Sequence, residues 1–287
     1  MSRLLMATAL AAVTLAVAPR AQQATPSSPA QASASAPAAS PQNAAVQTAL
    51  AVGDGSKRWI GHEAEYEEFI RTAKVDKCED TQVGVTHPKH CLFAPGSLVS
   101  GIVFKPLQPG KVHGFFESYR SEIAAYELDK LLGMHMVPPT VERTLRGESG
   151  SAQMWVDDVV LLKTKDSASA PDPAAYNRQI YRQRVFDNLV ANIDRNQGNL
   201  LLDPIWNLIL IDHSRAFTAV PTMPFPMTRI DRGFYEKLKA LDEPTLKARL
   251  GKLLYDGPKP LLQRRDQILK VFDEKIAAYG EAAVLTN

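Results

Sequence analysis

Cysteine is scarce in this chain, which holds two, Cys78 and Cys91, among 287 residues. Neither stands near the N-terminus, which argues against lipid attachment to a cysteine there. Excess charge of one sign is also missing: the formal net charge is +2 and aromatics make up 7 % of residues. With no basic stripe interleaved with aromatics, nucleic acid is not an expected partner. Long apolar runs are absent too, apart from one N-terminal stretch that is too short and too soon followed by polar residues for a secure membrane span. No repeat period is visible. The phosphate-cradling loops are missing in their usual form. No Gly-Lys-Ser/Thr follows a strand, and there is no G-x-G-x-x-G; Gly96 and Gly101 are the glycines that remain to let backbone approach a phosphate.

The N-terminus has the layout of an export signal. Met1-Ser2-Arg3 is a short basic region, Leu4 to Ala18 is apolar, and the small residues around Ala16 to Ala21 suit cleavage after residue 21. An uncleaved anchor is the alternative. Residues 22–52 are Ala, Pro, Ser and Gln with almost no charge, a composition that cannot offset its ordering entropy and reads as a disordered tether. About 235 residues remain, 53–287, enough for one substantial or two-lobed domain. In an exported protein Cys78 and Cys91 are expected to form a disulfide. The rival is a metal site with His87 and His90, whose spacing is unlike that of a zinc finger.

The stretch that carries chemistry is Asn192 to Phe217. Asp194 and Asn199 are five residues apart, the spacing at which kinases place the residue that takes the acceptor proton and a residue that holds metal. Two apolar runs, Leu200–Leu202 and Leu208–Ile211, flank the turn formers Asp203-Pro204 and Asn207 and predict a β-hairpin. Such a hairpin returns Asp212 to the neighbourhood of Asp194, where a kinase carries its metal-holding aspartate. Upstream, Gly101–Lys105 reads as a strand ending in a lysine, as in the V-A-I-K strand that holds nucleotide phosphates. A helix predicted from Ser118 to Leu132, terminated by Gly133, puts Glu122 in its first turns, where kinases place the lysine's partner.

Phe104-Lys105-Pro106, Phe115-Phe116-Glu117-Ser118-Tyr119, Glu122-Ile123-Ala124-Ala125-Tyr126-Glu127-Leu128-Asp129 and Val137-Pro138-Pro139 together resemble the secretory-pathway casein kinases. That atypical kinase family includes a xylosylkinase branch. The resemblance runs from about Gly101 to Phe217 and implies an α+β, two-lobed fold with a small β-rich N-lobe (about 53–157) and a mainly helical C-lobe (about 158–287). It implies that Lys105 and Glu122 bind nucleotide, with Glu122 also contacting the phosphate-bound metal. Asp194 of Asp194-Arg195 would be the catalytic aspartate, and Asp212 of Asp212-His213-Ser214-Arg215-Ala216-Phe217 the metal aspartate. ATP and Mn²⁺ or Mg²⁺ are the implied cofactors, and a protein or glycan hydroxyl the acceptor. Asn199 stands where this family usually has an acidic residue, and Asn196-Gln197 where it has two histidines.

The remaining segments fit two lobes. Residues 152–156, with Gln153 and Trp155, form a strand where a hinge would meet adenine through backbone groups. Residues 174–193 are predicted as an amphipathic helix that delivers Asp194 at its end. Residues 221–232 read as irregular, and helices are expected at 244–254 and 261–279, with their Lys and Arg on a solvated face. Two further readings stay open: a nucleotide-binding pseudokinase acting as an exported scaffold, and a phosphotransferase for sugars or envelope glycans. A secreted or periplasmic location is expected.

Overall fold

A computed structural model of the chain describes residues 55–81, 88–220 and 223–286. The expected export signal, the tether and His87 lie outside the described residues.

Helix α1 (Glu63–Thr72) lays Tyr66 and Ile70 against a sheet, keeps Glu65, Glu68 and Arg71 outward, and turns Glu67 to Lys130 and the Tyr126 hydroxyl. Strands β1 (Lys77–Asp80) and β2 (Lys89–Leu92) follow, paired antiparallel with Cys78 directly opposite Cys91. The two cysteines are joined in a disulfide across thirteen residues of separation. Loop-closure entropy for a ring of that size is worth about 3 kcal/mol. Cys78→Ser with Cys91→Ser is therefore expected to lower stability by about that amount, read from denaturant unfolding with and without reductant.

Strand β3 (Gly101–Lys105), the hairpin β4 (Gly110–Val112) and β5 (Phe115–Glu117), helix α2 (Tyr119–Leu132), and strands β6 (Thr140–Leu145) and β7 (Glu148–Met154) complete the first lobe. The sheet order is β1-β2-β3-β7-β6, with antiparallel neighbours throughout. The two-residue period of a strand divides β3 between faces. Ile102 and Phe104 enter a core with Trp59, Tyr66, Ile70, Cys91 and Met154, so Lys105 and Val103 point the other way. Helix α2 begins where Ser118 Oγ accepts the N–H of Arg120, and ends at Gly133 with φ 58°. That left-handed turn suits glycine, which has no Cβ to clash.

The second lobe holds β8 (Val160–Leu161), α3 (Pro173–Leu189), the hairpin β9 (Leu200–Leu202) and β10 (Leu208–Leu210), and β11 (Ile230–Asp231). Helices α4 (Arg232–Ala240), α5 (Glu243–Leu250), α6 (Lys259–Tyr279) and α7 (Glu281–Val284) follow, and β12 (Leu285–Thr286) pairs parallel with β11. Phe186, Leu189, Leu238, Leu246, Ile268 and Phe272 share one core; each fully buried side chain of this size contributes about 1.5–3 kcal/mol. The hairpin forms as expected, with Leu202 opposite Leu208 and Leu200 opposite Leu210.

Three expectations are corrected. Helix α3 stops at Leu189, four residues before Ile193, because Val190 turns into the core while Ala191 takes φ 51° and Ile193 is exposed. Asp194 therefore sits in a turn beyond the helix. Helix α4 occupies a region with no predicted helix, anchored by Phe234, Tyr235 and Leu238. Arg264 of α6 is not on a solvated face. It is buried, with Nε donating to Leu189 O (2.8 Å) and Nη1 to Thr218 O (2.8 Å). Among the described residues no helix is long and apolar enough to cross a membrane.

Candidate active site

Lys105 ends β3 on the face away from the sheet core, and α2 lies over that face. The result is a buried ion triad. Lys105 Nζ donates to Glu122 Oε1 at 2.6 Å and to Asp212 Oδ1 at 2.8 Å. Burial works against the ammonium, but Asp212 and Glu122 outweigh it and raise the Lys105 pKa above its ordinary value. In turn, the Lys105 charge, opposed by burial, holds Asp212 below the usual carboxylate range. The second oxygen of Glu122, Oε2, accepts the His213 N–H at 2.9 Å. Both Glu122 oxygens are thus engaged, one by the lysine and one by the segment that carries Asp212.

Asp212 follows β10 at φ 62°. A non-glycine residue in the left-handed region carries strain that its surroundings must hold, and such residues gather at functional sites. Several contacts hold this one. Ser118 N–H donates to Ser214 O at 2.9 Å, and Ser121 Oγ donates to Ala216 O at 3.1 Å. The start of α2 is thereby stitched to residues 214–216.

Arg195 joins the two halves of the site. Its guanidinium grips Asp187 of α3 through Nε (2.9 Å) and Nη2 (3.0 Å). Nη1 donates to Asn199 O (2.7 Å) and Ile211 O (2.6 Å), and Nη2 to His213 Nε2 (2.7 Å). Because a guanidinium only donates, His213 Nε2 must be the accepting, unprotonated nitrogen. Burial and then Arg195 press the His213 pKa well below its ordinary value, so the ring is neutral. Gln183 and Asn192 donate further bonds to Asp187.

Asp194 is more exposed than the triad. Its carboxylate Oδ2 pairs with Arg215 Nη1 at 3.0 Å, and its backbone carbonyl accepts Asn199 Nδ2 at 3.2 Å. Arg215 Nε also donates to Glu117 Oε1 at 2.7 Å, and its guanidinium lies 4.6 Å from the Phe115 ring centroid. Glu117 is fully buried, and its Oε2 has no hydrogen-bond partner.

The structure thus brings Lys105, Glu122 and Asp212 into contact, and joins Asn199 to Asp194. Gln153 and Trp155 lie on β7 and just past its end. Gln153 sits mid-ladder, opposite Val103 on one side and Thr140 on the other, and its side chain donates to Thr140 Oγ1. The Trp155 N–H is already given to Gly101 O at 2.9 Å. The backbone donors expected to meet adenine are therefore occupied through residue 155. Sequence reasoning assigned no role to Glu117, Asp187 or the Arg195 and Arg215 guanidinium contacts. Asp187 lies on the buried side of α3 together with Gln183 and Asn188, a polar cluster at the helix end that the apolar period did not single out.

Among the described residues no group of three or more His, Cys, Asp or Glu side chains forms a closed cation site. Divalent ions that bind with nucleotide take only one or two protein carboxylates, with phosphate oxygens and water for the rest. Asp212, Asn199 with its Nδ2 already committed, and the unpartnered oxygen of Glu117 offer oxygen donors of that kind. The residues present fit a hard divalent ion.

The sequence matches no protein-family model and no curated protein. Solved structures do match. The Golgi casein kinase with manganese and ADP bound superposes at a TM-score of 0.60 with 15 % identity, covering 79 % of this chain and 79 % of that one. A second structure of the Golgi casein kinase gives 0.59 at 16 % identity over the same shares. Fam20 of hydra, solved with a sugar, gives 0.57 at 15 % identity over 79 % of this chain and 92 % of its own. The likeness read from the sequence is met in the fold, which is the α+β, two-lobed fold of these secretory-pathway kinases.

Proposed function

We propose that this chain is an exported kinase of the secretory-pathway casein-kinase type, which transfers the γ-phosphoryl group of ATP to a hydroxyl of a protein or glycan acceptor. The observation that carries the reading is the Lys105–Glu122–Asp212 triad, with Asp194 and Asn199 joined beside it. Lys105 is held charged and immobile, as a group that neutralises phosphate oxygens must be. Glu122 holds Lys105 through Oε1 and the Asp212 segment through Oε2, and each oxygen keeps a lone pair with which it would also contact the metal.

Asp212, Asn199 and Glu122, with the unpartnered oxygen of Glu117 near Arg215, would hold the Mg²⁺ or Mn²⁺, which supplies positive charge against the oxygens of the phosphates. Asp194 orients the acceptor hydroxyl and takes its proton as the new oxygen–phosphorus bond forms and the bond to the ADP leaving group breaks. Arg195 fixes the carbonyls of Asn199 and Ile211, so the loop bearing Asp194 and the loop bearing Asp212 keep one spacing. Such transfer is chiefly positioning and electrostatics, and the structure of this cleft is suited to both. The disulfide and the signal-like N-terminus support an oxidising, secreted or periplasmic location.

The test is metal-dependent transfer from radiolabelled ATP by the purified protein, against Asp194→Asn. Wild type is expected to label a hydroxyl acceptor. Asp194→Asn is expected to lose about 10²–10⁴-fold in turnover, the usual worth of a general base, while still binding ATP. Metal-dependent ATP binding by wild type with no transfer to any protein or glycan would replace the enzyme with a pseudokinase scaffold.

A further inference from the structure

The side of the sheet turned away from Lys105 is not completely filled. Between α1 and the loop that joins β2 to β3 lies a cavity of about 280 Å³. Phe93, Val99 and Met154 line it, and they belong to the buried core that holds Ile102 and Phe104. The cavity and the Lys105 cleft are therefore on opposite faces of one sheet. Pockets for drug-sized ligands measure about 300–1,000 Å³, so this space suits a molecule smaller than a nucleotide.

The polar groups around it fall into two sets with opposite demands. Tyr66 is 1 % exposed and lines the cavity, and among the described residues its hydroxyl meets no hydrogen-bond partner. A buried hydroxyl without a partner costs free energy, so such groups are normally satisfied. Burial raises the Tyr66 pKa and the nearby Arg58 charge opposes the rise, so the hydroxyl keeps its proton beside Arg58. Arg58 also lines the cavity and makes no ion pair among the described residues. A guanidinium only donates and a protonated hydroxyl can donate, so this set calls for an acceptor such as a carboxylate. Asp157 and Asp158 form the second set. Asp157 Oδ1 accepts Ser100 Oγ at 2.9 Å, which leaves Oδ2 and the Asp158 carboxylate. Ionised carboxylates only accept, so this set calls for a donor such as an ammonium group.

We infer that this cavity binds a small zwitterion with an apolar body, a free amino acid such as phenylalanine or leucine. Its carboxylate meets Arg58 and the Tyr66 hydroxyl, and its ammonium group meets Asp157 and Asp158. Its side chain lies against Phe93, Val99 and Met154. An anion would have to sit beside two aspartates, and a cation beside Arg58, each without compensation. The inference stands independently of the kinase reading, yet its position bears on it. Ser56, a further lining residue, gives its N–H to Asp203 Oδ2 at 3.0 Å, in the turn of the β9–β10 hairpin. Asp157 and Asp158 lie where the chain passes from the first lobe to the second. An occupant thus touches two places where the lobes are tied together, as an effector would.

The experiment is calorimetric titration of the full chain with L-phenylalanine and L-leucine, then with phenethylamine and 3-phenylpropionate, which carry one charge each. Wild type is expected to bind at least one of the amino acids, and the single-charge analogues at least about tenfold more weakly. Arg58→Gln and Tyr66→Phe are each expected to weaken amino-acid binding by about tenfold. Saturating Mg²⁺ and ATP should not displace the amino acid. Tyr66→Phe should keep the wild-type thermal midpoint, because a hydroxyl without a partner adds nothing to the fold. A variant that fails to fold is set aside and the other decides. Four results overturn the inference: no binding of either amino acid, an analogue bound as tightly, variants that bind as wild type does, or displacement by ATP.

Discussion

Asp212→Asn is expected to remove metal-dependent ATP turnover by at least about 10²–10³-fold, the scale seen when one preorganised electrostatic group is deleted from an active site. Asparagine is the informative replacement because it tolerates the left-handed backbone that residue 212 adopts at φ 62°. It keeps the shape and removes the charge. Asp212→Ala should be as inactive, with an added cost from forcing alanine into that region. ATP binding in the presence of metal should fall along with turnover, since the same carboxylate faces both Lys105 and the proposed cation. Calorimetry and radiolabel transfer on the same preparation check the two together. Full activity in Asp212→Asn would end the proposal that this residue holds metal.

Lys105→Ala is expected to act on both stability and activity. Glu122 is 2 % exposed, and without Lys105 its Oε1 is left as an uncompensated buried charge. Breaking such a pair costs about 3–5 kcal/mol. The Asp212 side chain is 37 % exposed, so its share is screened and the lower end of the range is the better expectation. The pH dependence follows from the directions of the shifts. Asp212 is depressed below its ordinary 3.8, so its contribution is complete above that value and is lost as pH falls through the folded value. Lys105 is raised above its ordinary 10.5, so its contribution is complete below that value and is lost only as pH rises through the still higher folded one. The gap between wild type and Lys105→Ala should therefore be level from about pH 4 to about pH 10 and narrow in strong acid. Urea unfolding across that range measures it. A gap that closes near neutrality would show that the triad is not charged as described.

The placement of Lys105, Glu122 and Asp212 was legible in the sequence because a local signal stood beside each one, whereas the helix expected to deliver Asp194 ends short of it. A short apolar strand ends in Lys105. Ser118 and Gly133 bracket the helix of Glu122. Turn formers at Asp203 to Asn207 fold the hairpin that returns Asp212 to Asp194. The rest depends on contacts between segments far apart in the chain, which spacing does not encode. The Arg215 grip on Glu117 spans 98 residues. The end of α3 was misplaced for a related reason. Val190 and Ile193 continue an apolar period, but Val190 serves the core from a turn and Ile193 serves none. Helix α4 escaped because nine residues, three of them buried, are too few to show a period.

The Arg195 guanidinium limits how far the Asp212 segment can move. A ligand that entered behind Asp212 would have to flip its segment out of the cleft. Here that movement would pull at Ile211 O and His213 Nε2, both held by one side chain that is itself locked to Asp187 at 0 % exposure. The flipped state is therefore costly in this chain.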